Sequence, residues 1–141
     1  MKDLRSNISV VQTIAPVAGA ADATGATVDL QGYESCTFVI DAGIEGITLS
    51  GSNMLQIELE ESSDNSTWTD VSASTSVIGA TPDSNGVVAT FDADGEIPAV
   101  ATVGYIGDKR YVRAVLNFTG THGTATPVSV SCIRGSSRHN G

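Results

Sequence analysis

Gly104-Tyr105-Ile106-Gly107-Asp108-Lys109-Arg110-Tyr111-Val112-Arg113-Ala114-Val115-Leu116-Asn117-Phe118 is the stretch on which the fold depends. A Gly-Asp corner leads through Lys109 and Arg110 into a long run of period two. Strand geometry puts Val112, Ala114, Leu116 and Phe118 on one face and Tyr111, Arg113, Val115 and Asn117 on the other. A run so apolar on one face needs partner strands, and the rest of the chain offers them.

Leu55 to Glu60 alternates strictly, with Leu55, Ile57 and Leu59 facing in and Gln56, Glu58 and Glu60 facing out, so one side of this sheet meets water. Ser62 to Ser66 has the composition of a tight turn, and Thr67 to Val71 returns as the second arm of a hairpin. Ser35 to Asp41 is β-branched and aromatic, as a central strand should be. Val128 to Ile133 reads as the last strand, with a fraying tail from Gly135. Short strands are expected at Thr27 to Leu30, Val77-Ile78 and Val87 to Phe91, separated by turn chemistry at Pro82, at Asn85-Gly86 and at Asp92 to Gly95.

Elsewhere the signals are weaker. Residues 1–19 place Ile8, Val10, Val11 and Ile14 ahead of Pro16 and Gly19, which fits an extended arm or an edge strand. Residues 19–25 and 42–53 read as loops, the second with room for one short strand, and between Ser72 and Gly104 little stands out. No stretch has a helical period. About eight short strands spaced by turn residues predict an all-β fold, an antiparallel β-sandwich or jelly roll, with a closed barrel as the less favoured alternative. Its length of 141 residues suits one domain. That domain is expected to span 1–141, with an N-terminal arm over about 1–19 and a C-terminal tail over about 135–141. The predicted core is Phe38, Ile40, Leu55, Ile57, Leu59, Val112, Ala114, Leu116, Val128 and Val130.

The charge pattern says more than the net value of -9. All seven basic residues are Lys2, Arg5, Lys109, Arg110, Arg113, Arg134 and Arg138, so Ser6 to Asp108 holds 15 of the 16 acidic residues and no basic one. An acidic body repels phosphate backbones and anionic headgroups, which argues against nucleic acid or membrane as the main partner. No signal peptide is visible, and no apolar run approaches the roughly 20 residues of a membrane-spanning helix. The expectation is a chain made and used in soluble form.

The chemistry-bearing residues form no catalytic pattern. Cys36 and Cys132 sit inside apolar strands rather than in a metal-ligand spacing. A disulfide would need their strands to be neighbours; buried thiols packing as small hydrophobes are the favoured reading. Glu58, Glu60, Glu61 and Asp64 crowd one hairpin, but alternation assigns Glu58 and Glu60 to a solvated face rather than to an acid/base pair or a calcium site. Asp92 to Glu96 has the start of a calcium loop without its full ligand set. His122 and His139 have no acid or nucleophile at a recognisable spacing. Trp68, Tyr105 and Tyr111 could stack on a sugar; packing in the core or at an interface is the more economical role. No catalytic, cofactor-binding or metal residue is assigned, no cofactor is expected, and the chain reads as a non-enzyme.

Four segments carry a resemblance. Asp3-Leu4-Arg5-Ser6-Asn7-Ile8 with Ala15-Pro16, Val28 to Ser35, Leu59 to Val71 and Val103 to Ala114 come in the order seen in small structural proteins encoded beside the capsid gene of tailed bacteriophages. The chain resembles the phage capsid decoration, or cement, proteins. The resemblance implies a jelly-roll-like fold, no enzyme activity, a place on the capsid exterior of the virion, and as partners the major capsid protein and further copies of itself, as a dimer or trimer. The candidate capsid or oligomer contacts are Lys2, Arg5, Tyr105, Lys109, Arg110, Arg134 and Arg138. Of these, the terminal Lys2, Arg5, Arg134 and Arg138 are expected to be less ordered and to help anchor the protein. The alternatives are a carbohydrate-binding module for host adhesion and a low-copy head-tail component.

Overall fold

The computed structural model describes residues 3–137. Among these residues there are eleven strands: β1 (Ile8–Gly19), β2 (Ala23–Thr24), β3 (Val28–Asp29), β4 (Tyr33–Ala42), β5 (Met54–Ser62), β6 (Thr69–Asp70), β7 (Val77–Ile78), β8 (Val87–Phe91), β9 (Ala99–Tyr105), β10 (Tyr111–Thr119) and β11 (Thr126–Ser137). The helical segments among the described residues are two single 3-10 turns, Arg5–Asn7 and Ser74–Ser76.

Every pairing is antiparallel, and the pairings nest. β1 pairs with β11, β2 and β3 with β10, β4 with β9, and β5 with β8. Folded over, this ladder makes one sheet in the order β1-β11-β4-β9-β7 and a second in the order β2-β10-β5-β6, with β3 against β10 and β8 against β5. First strand beside last, with alternate pairs dealt to opposite sheets, is the jelly-roll arrangement. The sequence expectation of an all-β antiparallel sandwich is met.

The two sheets bury one contiguous apolar cluster, and all ten residues expected inside belong to it. Phe38, Ile40, Leu55, Ile57, Leu59, Val112, Ala114, Leu116 and Val130 have no measurable exposure, and Val128 has 2%. Residues 42–53 form a loop for a visible reason. Gly46 N–H donates to Thr126 Oγ1 at 2.9 Å, and a Cβ at Gly46 would lie 1.2 Å from Thr124 O, so backbone and backbone are in direct contact there. His122 belongs to this anchor, with Nδ1 at 3.3 Å from Thr126 Oγ1 and its ring edge-on to Phe118. The Asn85-Gly86 turn needs its glycine: φ is +74°, and a Cβ would sit 2.7 Å from Leu59 O.

Four expectations need correction. Of the two readings of residues 1–19, the arm gives way to the edge strand: residues 8–19 form β1, paired with β11 from Ile8↔Gly135 to Gly19↔Thr126. The tail does not begin at Gly135, because Gly135 to Ser137 continue β11, and residues 138–141 lie outside the described residues. Strand β9 has no counterpart among the expected strands, because Ala-Val-Ala-Thr-Val-Gly-Tyr carries small residues with a muted alternation; Gly104-Tyr105 closes it, and the Gly107-Asp108 corner follows as expected. The loop over 19–25 contains the two-residue strand β2.

The outward side of the first sheet can be followed row by row. Val10, Ile133, Thr37, Gly104 and Ile78 lie side by side across its five strands. The next rows are Gln12, Ser131, Val39, Thr102, and then Ser129, Asp41, Val100. Of these residues only Asp41 is charged.

Candidate functional site

Of the segments that carry the resemblance, Asp3 to Ile8, Val28 to Ser35, Leu59 to Val71 and Val103 to Ala114 are distant in sequence and converge at one end of the sandwich, around Asp29, while Ala15-Pro16 lies toward the other end of β1, next to the Val17↔Val128 pair. Arg110 grips the Asp29 carboxylate with two hydrogen bonds, 2.9 and 2.7 Å. This pairing lowers the Asp29 pKa and raises that of Arg110. Arg134, on β11, donates to the backbone oxygen of Asp29 and to Ser9 Oγ, both at 2.8 Å, and lies over the Tyr33 ring at 4.3 Å. Arg5 is exposed in the 3-10 turn just ahead of β1, whose first residue pairs with Gly135 beside Arg134. Among the described residues, Arg5, Arg110 and Arg134 are thus gathered at one end although far apart in sequence.

Beside this cluster a groove of about 530 Å³ runs between Leu30 to Ser35 and Gly107 to Arg110. Tyr105 forms its floor. The Tyr105 side chain is 1% exposed and donates its hydroxyl to Glu61 Oε2 at 2.6 Å, joining the two sheets. Burial, and after it the Glu61 carboxylate, push the phenol pKa up, so it stays a donor at ordinary pH. The Tyr105 hydroxyl in turn accepts the Lys109 backbone N–H at 3.2 Å, which fixes the corner that presents Lys109 and Arg110.

The outward face of the second sheet continues from this end. Its rows are Asp29, Tyr111, Ser62; then Arg113, Glu60, Asp70; then Thr24, Val115, Glu58, Val87; then Asn117, Gln56, Thr90. Arg113 bridges to Glu60 and stacks on Trp68 at 4.1 Å. Asn117 Nδ2 donates to Glu58 Oε2 at 2.7 Å. Burial is the main reason the Glu58 pKa is raised; the Asn117 hydrogen bond opposes it and the nearby Asp70 adds to it. Glu58, Glu60 and Asp70 bring carboxylate oxygens within 4.8 Å of one another. Glu58 and Glu60 are therefore half-buried members of a paired network rather than the freely solvated groups that alternation suggested.

At the hairpin tip, Asp64 accepts backbone N–H bonds from Thr67 at 2.7 Å and Ser66 at 2.9 Å, and Ser62 Oγ donates to it as well. These donors lower its pKa to about 2. The return strand, β6, is only two residues long, because the intervening loop with Asn65 at φ 58° takes up most of the expected arm. Glu96 Oε2 accepts the N–H groups of Asp92 and Ala93, which makes the Asp92 to Glu96 segment a self-closed turn.

Of the seven sequence-predicted contacts, the structure brings Arg5, Tyr105, Lys109, Arg110 and Arg134 to this one end, while Lys2 and Arg138 lie outside the described residues. Two of the five are placed differently from a loose surface group. Tyr105 is a core residue, and Arg134 is held in a strand by hydrogen bonds rather than carried on a loose terminus. The three aromatics proposed as a sugar platform do not share a surface: Tyr105 points inward, Trp68 lies against Arg113, and Tyr111 lies against Arg110 at 4.9 Å. Asp29 was missed by sequence reasoning, and nothing short of knowing that β3 pairs with β10 would have found it. Cys36 and Cys132 are free, buried thiols on the adjacent strands β4 and β11; the contact between them, together with burial, raises the Cys36 pKa.

No family model matches the chain, and no curated protein does. Among solved structures, one that resembles it is the SPBc2 prophage-derived protein YomS, at 11% identity and a TM-score of 0.48, with 92% of this chain and 94% of that chain covered.

Proposed function

We propose that this chain is a structural protein of a tailed-phage virion, a decoration protein that binds the outside of the assembled head and stabilises it. The observation that carries the reading is the meeting of the resembling segments around Asp29: residues 28–35, 59–71 and 103–114 are tied to one another there by the Arg110, Arg113 and Tyr105 bonds. Residues alike in sequence order and assembled into one surface are what a shared docking role would leave. In this reading the end bearing Arg5, Lys109 and Arg110 faces the major capsid protein. Exposed charge pairs add only about 0 to 1 kcal/mol each, so retention on the shell comes from apolar contact and from many equivalent sites. A protein that binds the assembled state and not its dissociated subunits stabilises that state by mass action.

The test is quantification in purified particles together with an electron-microscopy map. Copies in the hundreds on the outer surface of the head are expected, with the Asp29 end toward the shell. A handful of copies at one vertex would assign the chain to the head-tail junction instead, and binding on a glycan array with none on heads would make it an adhesion module. Removal of residues 1–7 is expected to leave the sandwich folded, since β1 begins at Ile8, and to lower occupancy on heads. Full occupancy by the truncated protein at both low and high salt would remove the N-terminus from the contact.

A further inference from the structure

We infer that the outward face of the five-stranded sheet is where two copies of this chain meet, sheet against sheet, about a two-fold axis. The argument starts from charge. The chain carries a net -9, so two copies repel wherever their carboxylates are brought together. On the second sheet, Asp29, Glu58, Glu60 and Asp70 all stand on the outward face. The three rows across the first sheet hold one carboxylate, Asp41, and no cation, so this is the broad surface on which a like-charged copy is tolerated.

A partner rich in basic groups would gain nothing from a neutral face and much from the acidic ones, which is why the second copy is the occupant assigned. Three aliphatic side chains stand exposed on this face, Val10 and Ile78 at its two edges, each 60% exposed, and Val100 at 63%, beside the exposed Gln12, Thr102 and Asp41. Between them lie Thr37, Gly104, Ser131 and Thr102, short side chains that let a second sheet approach to the usual separation of about 10 Å.

Size supports the same occupant. Five strands at a spacing of about 4.8 Å and a length of about eight residues at 3.3 Å give a face on the order of 600 Å² in projection. With side-chain relief, and with the exposed ridge Ala15 to Ala18 of β1 alongside, this approaches the roughly 800 Å² that each partner contributes to a standard stable interface. A two-fold arrangement matches the face to itself and reverses the rows, so Asp41 near one end need not meet its own mate.

This inference does not depend on the virion reading, since it concerns the isolated protein. Sedimentation velocity of the purified chain across a micromolar concentration series is expected to show a particle of twice 14.4 kDa. The double variant Val10→Glu, Thr102→Glu adds two outward carboxylates per copy. It is expected to weaken dimerisation by about a hundredfold or more, because like charges facing each other across an interface are strongly unfavourable. Thr90→Glu, on the outward face of the other sheet, is expected to leave it unchanged. Circular dichroism and urea midpoints establish that each variant is folded. Should the double variant fail to fold, a cross-link in Ser131→Cys takes its place: it forms readily between copies if the faces meet and not at all if they do not. A monomer at every concentration, a trimer, or a dimer that Thr90→Glu disrupts and Val10→Glu, Thr102→Glu does not would each overturn the assignment.

Discussion

The two sheets of the sandwich are alike on their inward faces and unlike on their outward ones. Inside, β4, β5 and β10 follow period two through their centres, and Ile40 on one sheet is as fully buried as Ile57 on the other; β1, with its two register shifts, is the departure. Outside, the second sheet carries Asp29, Arg113, Glu58, Glu60 and Asp70, several of them tied to partners, whereas the first carries small, aliphatic and hydroxylic residues with the single charge of Asp41. The difference teaches that the core requirement constrains alternate residues only and leaves the other half of each strand to be chosen by what it faces. A face that meets water can be a charged lattice. A face that stays neutral in a chain of net -9 calls for another explanation.

The largest effects test the likeness. Ile57→Ala and Ile40→Ala, one on each sheet, are both expected to cost roughly 2 to 5 kcal/mol, because each leaves a cavity in the same close-packed cluster. Urea unfolding measures both. A cost below about 1 kcal/mol for either would mean that one sheet's inner surface is packed loosely enough to collapse around the gap.

Next comes the contrast. Arg113→Ala removes the Glu60 bridge and the stacking on Trp68, and leaves Glu60 half-buried without its cation. A loss of about 1 to 2 kcal/mol is expected, measured as a double-mutant cycle with Glu60→Gln. Thr37→Ala, on the outward face of the other sheet, is expected to stay within about 0.5 kcal/mol at concentrations where the protein is monomeric. Equal costs would erase the distinction between a face that is networked and one that is not.

Arg110→Ala probes the margin of that network. Both partners of the Arg110 to Asp29 pair are more than a third exposed, at 44% and 41%, so despite bidentate geometry the loss is expected to be small and to shrink in high salt. A salt-independent loss of several kcal/mol would mean that the Asp29 end is structurally coupled to the core through β3.

What the sequence made legible follows from the same contrast. Strict alternation in Leu55 to Glu60 and in Tyr111 to Phe118 revealed register and core together, because burial on one face leaves no freedom in period. β9 was illegible because a strand lined with Ala, Thr and Gly has little hydrophobic contrast between its faces, though it pairs with β4 along its whole length. The candidate site was legible only as a list of basic residues. Asp29 is joined to Arg110 across 81 positions and to Arg134 across 105, and such pairings are set by the nesting of strands rather than by any local spacing. The buried state of Tyr105 was hidden likewise, since its parity depends on belonging to β9.

The smallest effect concerns the hairpin tip at the edge of the charged face. Asp64 accepts backbone hydrogen bonds from Ser66 and Thr67, which hold its folded-state pKa at about 2, below the ordinary 3.8. A carboxylate whose pKa is depressed by folding contributes stability that is fully present above the unfolded value. That contribution is lost as the pH falls through the folded one, here from about 4 down to about 2. Asp64→Asn keeps an acceptor of the same shape without the charge, so it is expected to be slightly less stable than the parent protein at pH 6. Because the group is fully exposed at the turn, the gap is small at any pH. Its pH dependence is the diagnostic quantity: urea midpoints of the two proteins are expected to differ at pH 6 and pH 5, to draw together below pH 4, and to coincide near pH 2, other titrating groups being common to both. A gap that persists undiminished at pH 2 would show that the turn needs the shape of the aspartate and not its charge, and would confine the electrostatic part of the comparison to the strands themselves.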